Sequence, residues 1–333
     1  MSTQTGDSVL IIGGTRFIGR FAVEEFREHG YDVTIFNRGN HENPFADDPG
    51  VERIEGDRTD DGDLADAAAA DPDVVIDCVA YKPKEVRTAT RLFDDVDAYV
   101  YVSSGAAYGD EDVPKREDET TLCECTEEQA RDDSHESYGP RKAEGDRAVF
   151  DAAERGVNAM SLRPPVVYGP HDYTERFDYW IDRVNEHDRV IVPGDGTNLW
   201  HRVYVESVAR ALRVVAEEGE PGEAYNTGDR RLLTLEEAVE TVADALDADV
   251  EVVTAGEREL ATAGIELEDF PLYRDYPHVM STEKLSNLEW EPVSVEEGIE
   301  RAVEDHLASD RTGRENGPDR EAEERVLGVL DTL

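Results

Sequence analysis

The sequence predicts a doubly wound α/β fold, a parallel sheet followed by a smaller C-terminal domain, on three observations. Short apolar, β-branched runs alternate with amphipathic helical patterns through the first half of the chain. A glycine-rich turn joins the first such run to the first helix, and the strict alternation stops at Tyr168-Gly169-Pro170, after which the pattern is mixed and mainly helical.

Taken in order, Val9–Ile12 is an all-apolar strand of the kind needed by a sheet covered on both faces. Ile18, Phe21, Ala22 and Phe26 then recur at helical spacing, and Gly30 stands where that helix would stop. Asp32–Phe36, Val51–Ile54, Val74–Val79, Ala98–Ser103 and Asn158–Leu162 supply five more strands, with helices over 62–70, 84–96 and 138–155. Six strands with crossover helices make one doubly wound sheet the economical arrangement. Helices over 176–186, 205–218, 235–246 and 295–307 follow, the last two opened by capping boxes at Thr234-x-x-Glu237 and Ser294-x-x-Glu297. The chain thus divides into a nucleotide-binding domain over 7–170 and a mainly substrate-binding domain over 171–308, with some segments of the second returning to the first. A polar tail over 309–333 completes it, loose from Ser309 to about Glu323, after which Val326, Leu327, Val329 and Leu330 would dock a short helix.

Bulk properties exclude several functions. With 333 residues, 38% of them hydrophobic, the chain can bury a sizeable core. No run approaches the roughly 20 apolar residues of a membrane span, and the polar start lacks a signal-peptide profile, so a cytoplasmic location with no membrane partner is expected. The net charge of −45 is spread along the chain, and lysine is scarce, five against 29 arginines. That composition resembles proteins adapted to molar salt, where repulsion among carboxylates is screened. The charge then describes the solvent rather than the activity, and it argues against nucleic acid as a partner. Three cysteines, Cys78, Cys123 and Cys125, are too few for a disulfide framework. Cys123 and Cys125 have no second pair of ligands at metal spacing, so they read as loop cysteines and no metal site is expected.

The turn Gly13-Gly14-Thr15-Arg16-Phe17-Ile18-Gly19 stands between an apolar strand and a helix start, as a dinucleotide pyrophosphate requires. Gly13 permits the tight turn, the N–H groups of the new helix face the phosphates, and Gly19 lets helix and strand approach. Arg16 occupies the middle position of the glycine spacing, where its guanidinium would swing out toward a phosphate. The second strand ends in Asn37-Arg38 rather than an acidic residue, which leans the choice between NAD and NADP toward NADP. Asp57, after the third strand, reads equally as a partner for the adenine amino group or as a turn aspartate. Tyr138 and Lys142 are four apart, on one face of a helix. A phenol titrates near 10 in water; a nearby ammonium favours the phenolate and lets it exchange a proton with a substrate hydroxyl.

These segments, with Val102-Ser103-Ser104-Gly105-Ala106-Ala107-Tyr108-Gly109 and Leu162-Arg163-Pro164-Pro165-Val166-Val167-Tyr168-Gly169-Pro170, stand in the order seen in the extended short-chain dehydrogenase/reductases, which the chain resembles from about Val9 to Leu307. That family includes NAD-dependent nucleotide-sugar epimerases and dehydratases and has a Rossmann fold. The resemblance implies that Ser104 hydrogen-bonds the reacting substrate oxygen, that Tyr138 is the acid/base and that Lys142 anchors the ribose. It places Ala80, Pro165 and Val167 against the cofactor. The glycine turn is most similar to that of an atypical branch, some of whose members are described as RNA-binding. Two departures bear on substrate. Gly105 and Ala106 stand where sugar 4,6-dehydratases need an Asp-Glu pair, which favours epimerisation or simple redox chemistry. Trp200 stands where nucleotide-sugar enzymes carry a diphosphate-gripping Arg, leaving Arg202, His201 or Arg274 as substitutes; His171 is a further candidate to face substrate. The expected function is therefore an NAD(P)-dependent epimerase or reductase acting on a sugar or nucleotide sugar, with a non-catalytic nucleotide- or RNA-binding protein as the alternative. Family analogy adds a possible homodimer through helices 84–96 and 138–155.

Overall fold

A computed structural model describes residues 7–332. Its strands are β1 (Ser8–Ile12), β2 (Asp32–Asn37), β3 (Val51–Glu55), β4 (Val74–Asp77), β5 (Ala98–Val102), β6 (Ala159–Arg163), β7 (Val166–Tyr168), β8 (Arg189–Pro193), β9 (Arg202–Tyr204), β10 (Ala224–Asn226) and β11 (Glu251–Ala255). The α-helices are α1 (Phe17–Glu28), α2 (Asp61–Ala68), α3 (Pro83–Leu92), α4 (Tyr138–Glu154), α5 (Asp178–Glu186), α6 (Val205–Glu218), α7 (Leu235–Leu246), α8 (Glu257–Leu260), α9 (Glu283–Ser286), α10 (Val295–Leu307) and α11 (Arg320–Leu330). The chain forms two compact units: one takes residues up to Pro165, Val205–Gly228 and Met280–Pro292, the other Val166–Tyr204, Asp229–Val279 and the rest from Val293.

The first unit carries a seven-stranded, wholly parallel sheet in the order β10-β6-β5-β4-β1-β2-β3. β1 lies between β2 and β4, with Ile11 opposite both Ile35 and Ile76, so the winding reverses there. Crevices at the carboxyl ends of strands flanking such a switch are where open α/β sheets bind ligands. β4, β5 and β6 are buried at every position, because helices cover both faces. On one face Leu10, Ile12, Val75, Tyr99 and Tyr101 pack with Leu64 of α2, Val86 of α3, Phe93 just past its end and Val149 of α4. On the other, α1 packs against α6. Each side chain buried this way contributes roughly 1.5–3 kcal/mol. β10 is not among the six strands expected, its three residues being too few for a periodic signal.

The second unit has two small parallel pairs, β8 with β11 and β7 with β9, and helices α5, α7, α8, α10 and α11. The capping box at Thr234 closes in both directions, and Ser294 Oγ accepts from the Glu297 N–H at 3.2 Å. The expectation of a loose tail from residue 309 is overturned. Gly313 donates to Glu175, Arg314 grips Asp182 through two bonds of 2.8 and 2.9 Å, and Glu323, 1% exposed, pairs with Arg183 and accepts from the Tyr179 hydroxyl at 2.6 Å. Charges that read as solvated along the sequence find partners more than 130 residues away. Among the described residues no helix is long and apolar enough to cross a membrane.

Candidate active site

The glycine turn is built by steric exclusion. A Cβ on Gly14 would meet the Ile35 side chain at 2.6 Å, and one on Gly19 would meet the Gly13 carbonyl at 2.2 Å, while Gly13 itself has φ +97. Helix α1 can therefore start against the end of β1 only with glycine at these places. Arg16, exposed at the N-cap of α1, directs Nη1 to within 3.4 Å of His41 Nε2. Thr15, Phe17 and Ile18 continue the turn, with Phe17 buried at φ +37. At the end of β2, Asn37 Oδ1 accepts from the Gly39 N–H at 2.9 Å, fixing the loop that carries Arg38. Asp57 takes the turn geometry: its Oδ1 accepts from the Thr59 N–H and hydroxyl, and these bonds hold the carboxyl below its ordinary value.

Ser104, two residues past β5, is extended and caps a short 3-10 turn, its Oγ accepting from the Ala106 N–H at 3.2 Å. The hydroxyl proton remains to donate to a substrate oxygen. The Gly105 N–H bonds the Pro164 carbonyl at 2.8 Å, which sets Pro165 beside the serine turn. Helix α4 begins at Tyr138, and a Cβ on Gly139 would lie 2.4 Å from the Ala106 carbonyl. The tyrosine-bearing turn thus rests on the serine-bearing turn, and Gly139 is what allows it. Gly139 carries no motif of its own, and the signal in the sequence is a glycine in the first turn of a helix, which calls for such a reason.

Lys142 is 2% exposed. Its Nζ donates to the Ala80 carbonyl at 2.9 Å and the Val102 carbonyl at 2.8 Å, and burial draws its pKa down to about 8. Below it, Asp77 is held by two bonds from Arg58 (2.7 and 2.8 Å) and one from the Tyr99 hydroxyl (2.7 Å), and Asp146 by Arg163 at 2.8 Å. The Tyr81 ring stands over the ammonium, 5.2 Å from Nζ, and is 44% exposed. Its place just past Ala80, at the carboxyl end of β4, was the signal available in the sequence. Cys123 directs its sulfur to the Ala106 carbonyl, and Cys78 is a free thiol whose pKa burial raises.

The remaining candidates lie in the second unit, where the structure brings some together and separates others. The Arg274 guanidinium stacks on the rings of Trp200 (5.1 Å) and Tyr276 (4.2 Å). Of the three candidates for a diphosphate grip, Arg202 turns inward: its Nη2 donates to the carbonyls of Leu233 and Thr234, ahead of α7. Its buried Nη1 has no hydrogen-bond partner among the described residues, and its side chain lines a shallow cleft with Trp200, Tyr168 and Asp229. His201 Nε2 bonds the Asp229 carbonyl at 2.9 Å. His171 at φ +63 is tied by its N–H to Asp305 at 3.0 Å. Val167 pairs with Val203 inside the β7–β9 ladder.

Comparison with known proteins gives this geometry its setting. Residues 9–228 match the model of the NAD dependent epimerase/dehydratase family. The chain is 27% identical over 307 residues to the chloroplast stem-loop binding protein of 41 kDa b of Arabidopsis thaliana, covering 88% of this chain and 77% of that one. It is 26% identical over 330 residues to the low-salt glycan biosynthesis protein Agl12 of Haloferax volcanii, covering 91% and 99%. Among solved structures, a dTDP-glucose 4,6-dehydratase of Bacillus anthracis in complex with NAD superposes with a TM-score of 0.72 at 21% identity, over 92% of this chain and 98% of that one. A UDP-glucose 4-epimerase of Thermotoga maritima with UDP-glucose gives 0.71 at 21%, over 90% and 99%. At that identity the two structures establish the fold.

Proposed function

The chain belongs to the NAD dependent epimerase/dehydratase family, and from that premise we propose that it oxidises or reduces a hydroxyl or ketone of a sugar or nucleotide sugar, with Tyr138 as acid/base. The observation that carries this reading is the Tyr138–Lys142 turn of α4 resting on the Ser104 turn through Gly139. Ser104 would orient the reacting oxygen, Tyr138 would take or return its proton, and the Lys142 ammonium would favour the phenolate. A bound nicotinamide dinucleotide would accept or supply the hydride. The glycine turn fits its pyrophosphate, Pro165 and Ala80 would flank it, and Lys142 would hold its ribose. Gly105 and Ala106, in place of the Asp-Glu pair of the dehydratases, favour epimerisation or simple redox chemistry. Arg38, with the Arg16–His41 pair near the end of β2, supports a 2′-phosphate and hence NADP. Arg274, stacked on Trp200, is the candidate to grip a substrate phosphate.

Tyr138→Phe should cut turnover by at least about 100-fold while cofactor binding survives. Wild-type turnover in that variant would refute the mechanism. The dinucleotide released on denaturing protein purified in molar KCl, identified by mass spectrometry, decides the cofactor. NADP(H) supports the reading of Arg38; tightly held NAD(H) would refute it and point to an epimerase that regenerates its cofactor in place. A second reading, nucleic-acid binding without catalysis, is favoured by the similarity to a stem-loop binding protein. Filter binding of stem-loop RNA at low and high salt tests it, and no retention at either removes it.

A further inference from the structure

We propose that Tyr81 is a positioning residue whose ring, together with that of Tyr101, keeps the buried Lys142 ammonium charged. Nζ lies 4.8 Å from the centroid of Tyr101, 5.2 Å from that of Tyr81 and 5.9 Å from that of Tyr138, so three aromatic rings surround one cation. The need for them follows from what else faces the lysine. Its two hydrogen-bond acceptors are neutral backbone carbonyls, of Ala80 and Val102. The carboxylates around it are Asp77 at the end of β4, Glu85 of α3 and Asp146 of α4. Asp77 is already committed to Arg58 and Tyr99, Asp146 to Arg163, and Glu85 to the N–H groups of Tyr81 and Lys82 at 2.8 and 3.0 Å. Arg58 adds repulsion. Among the described residues no carboxylate pairs directly with Nζ. Burial opposes the charge and the ring faces oppose burial, each cation–π contact lending the ammonium a share of the stabilisation water would have supplied.

Of the three rings, Tyr81 is the informative one. Tyr101 is 1% exposed and its hydroxyl lies within 2.6 Å of where a Cβ on Gly145 would stand, so changing it disturbs the packing of α4. Tyr138 is the proposed acid/base. Tyr81 is 44% exposed, reaches the lysine from the mouth of the site, and is held through its backbone by Glu85, so its side chain can be replaced without opening the core. Its consequence for catalysis rests on the function proposed above: while Lys142 stays charged, it can favour the Tyr138 phenolate, and Tyr81 extends the pH range over which it does so.

The chain has five lysines, so labelling lysine with 13C at Cε gives five resonances to follow against pH. The Lys142 signal is the one missing in Lys142→Met. The wild-type midpoint should lie near 8. Tyr81→Leu should lower it by about half a pH unit, the shift a partly exposed cation–π contact supports. Tyr81→Phe, which keeps the ring, should titrate with the wild type. A Tyr81→Leu midpoint equal to the wild type overturns the proposal, as does a Tyr81→Phe midpoint displaced as far as that of Tyr81→Leu, which would assign the effect to the hydroxyl. Unchanged titration of the other four lysines certifies the fold of each variant. NADPH fluorescence titrations on the same variants should show the alkaline loss of binding moving down by the same amount. Lysine midpoints that shift as expected in a protein binding neither NADPH nor NADH would uphold the proposal and refute the cofactor reading.

Discussion

Both units bury ionic groups, but they use them differently. In the first, Arg58–Asp77 and Arg163–Asp146 lie near a lysine with which, among the described residues, no carboxylate pairs directly, in a sheet whose apolar strands already supply the stability. In the second, Arg183–Glu323, Arg314–Asp182 and Arg311–Asp178 tie the end of the chain to α5, and little continuous sheet is present to do that instead. Charge in the first unit surrounds the buried Lys142 ammonium, the proposed partner of the acid/base; in the second it ties the end of the chain to α5. Removing one partner should therefore alter chemistry in one case and stability in the other.

The largest separation should come from Gly139→Ala and Glu323→Leu. The added methyl of Gly139→Ala meets a rigid backbone carbonyl at 2.4 Å and must displace the Tyr138 turn from the Ser104 turn. Turnover should fall by about 100-fold or more, since misplacement of about 1 Å carries that cost. Glu323→Leu leaves the buried Arg183 with only the longer Asp182 carboxylate contact at 3.4 Å and the Tyr179 hydroxyl without its acceptor, and should cost about 3 kcal/mol in urea denaturation. Equal losses of activity per unit of stability in the two variants would erase the distinction.

A smaller effect concerns pH, where the two units should slope in opposite directions. Burial pushes the Asp229 carboxyl up to about 7, so the folded chain holds a proton that the unfolded chain releases near 4. Its contribution to stability is present below about pH 4 and is lost as pH rises toward 7. Lys142, drawn down to about 8, gives up its proton in the folded chain before the unfolded chain does, so its contribution is present above the ordinary lysine value and is lost as pH falls through about 8. Melting temperatures from pH 4 to 10.5 should show Asp229→Asn flattening the acid-to-neutral fall and Lys142→Met removing the alkaline rise. Curves parallel to the wild type would contradict both assignments. Smallest is Arg38→Ala, which should weaken NADPH binding by about tenfold and leave NADH unchanged, one charge-assisted contact being worth about 1.5 kcal/mol. Equal weakening of both would show that Arg38 does not read the 2′-phosphate.

The same contrast explains what the sequence disclosed. β1, β4 and β5 are unbroken apolar runs, and α4 keeps Tyr138 and Lys142 at helical spacing, so the first unit and its candidate site were legible from local pattern. Gly139 and Tyr81 were not, because their significance lies in a carbonyl and an ammonium reached through the fold. The second unit was legible only where helices have caps, as at Thr234 and Ser294. Glu323 and Arg314 looked like any other charge in a chain of net −45, and no period marks a partner more than 130 residues away.

The interleaving of the two units also bears on synthesis. The first unit draws β10 and α6 from residues 205–228 and closes with 280–292, after much of the second has been made. A ribosome adding about 5–20 residues per second therefore exposes an incomplete sheet, with β6 still lacking its neighbour β10, for several seconds before either unit can finish. Such an unpaired edge is a natural client for a chaperone. Stalling the ribosome after residue 200 and again after residue 292 would place the first protease-resistant species on one side or the other of that interval.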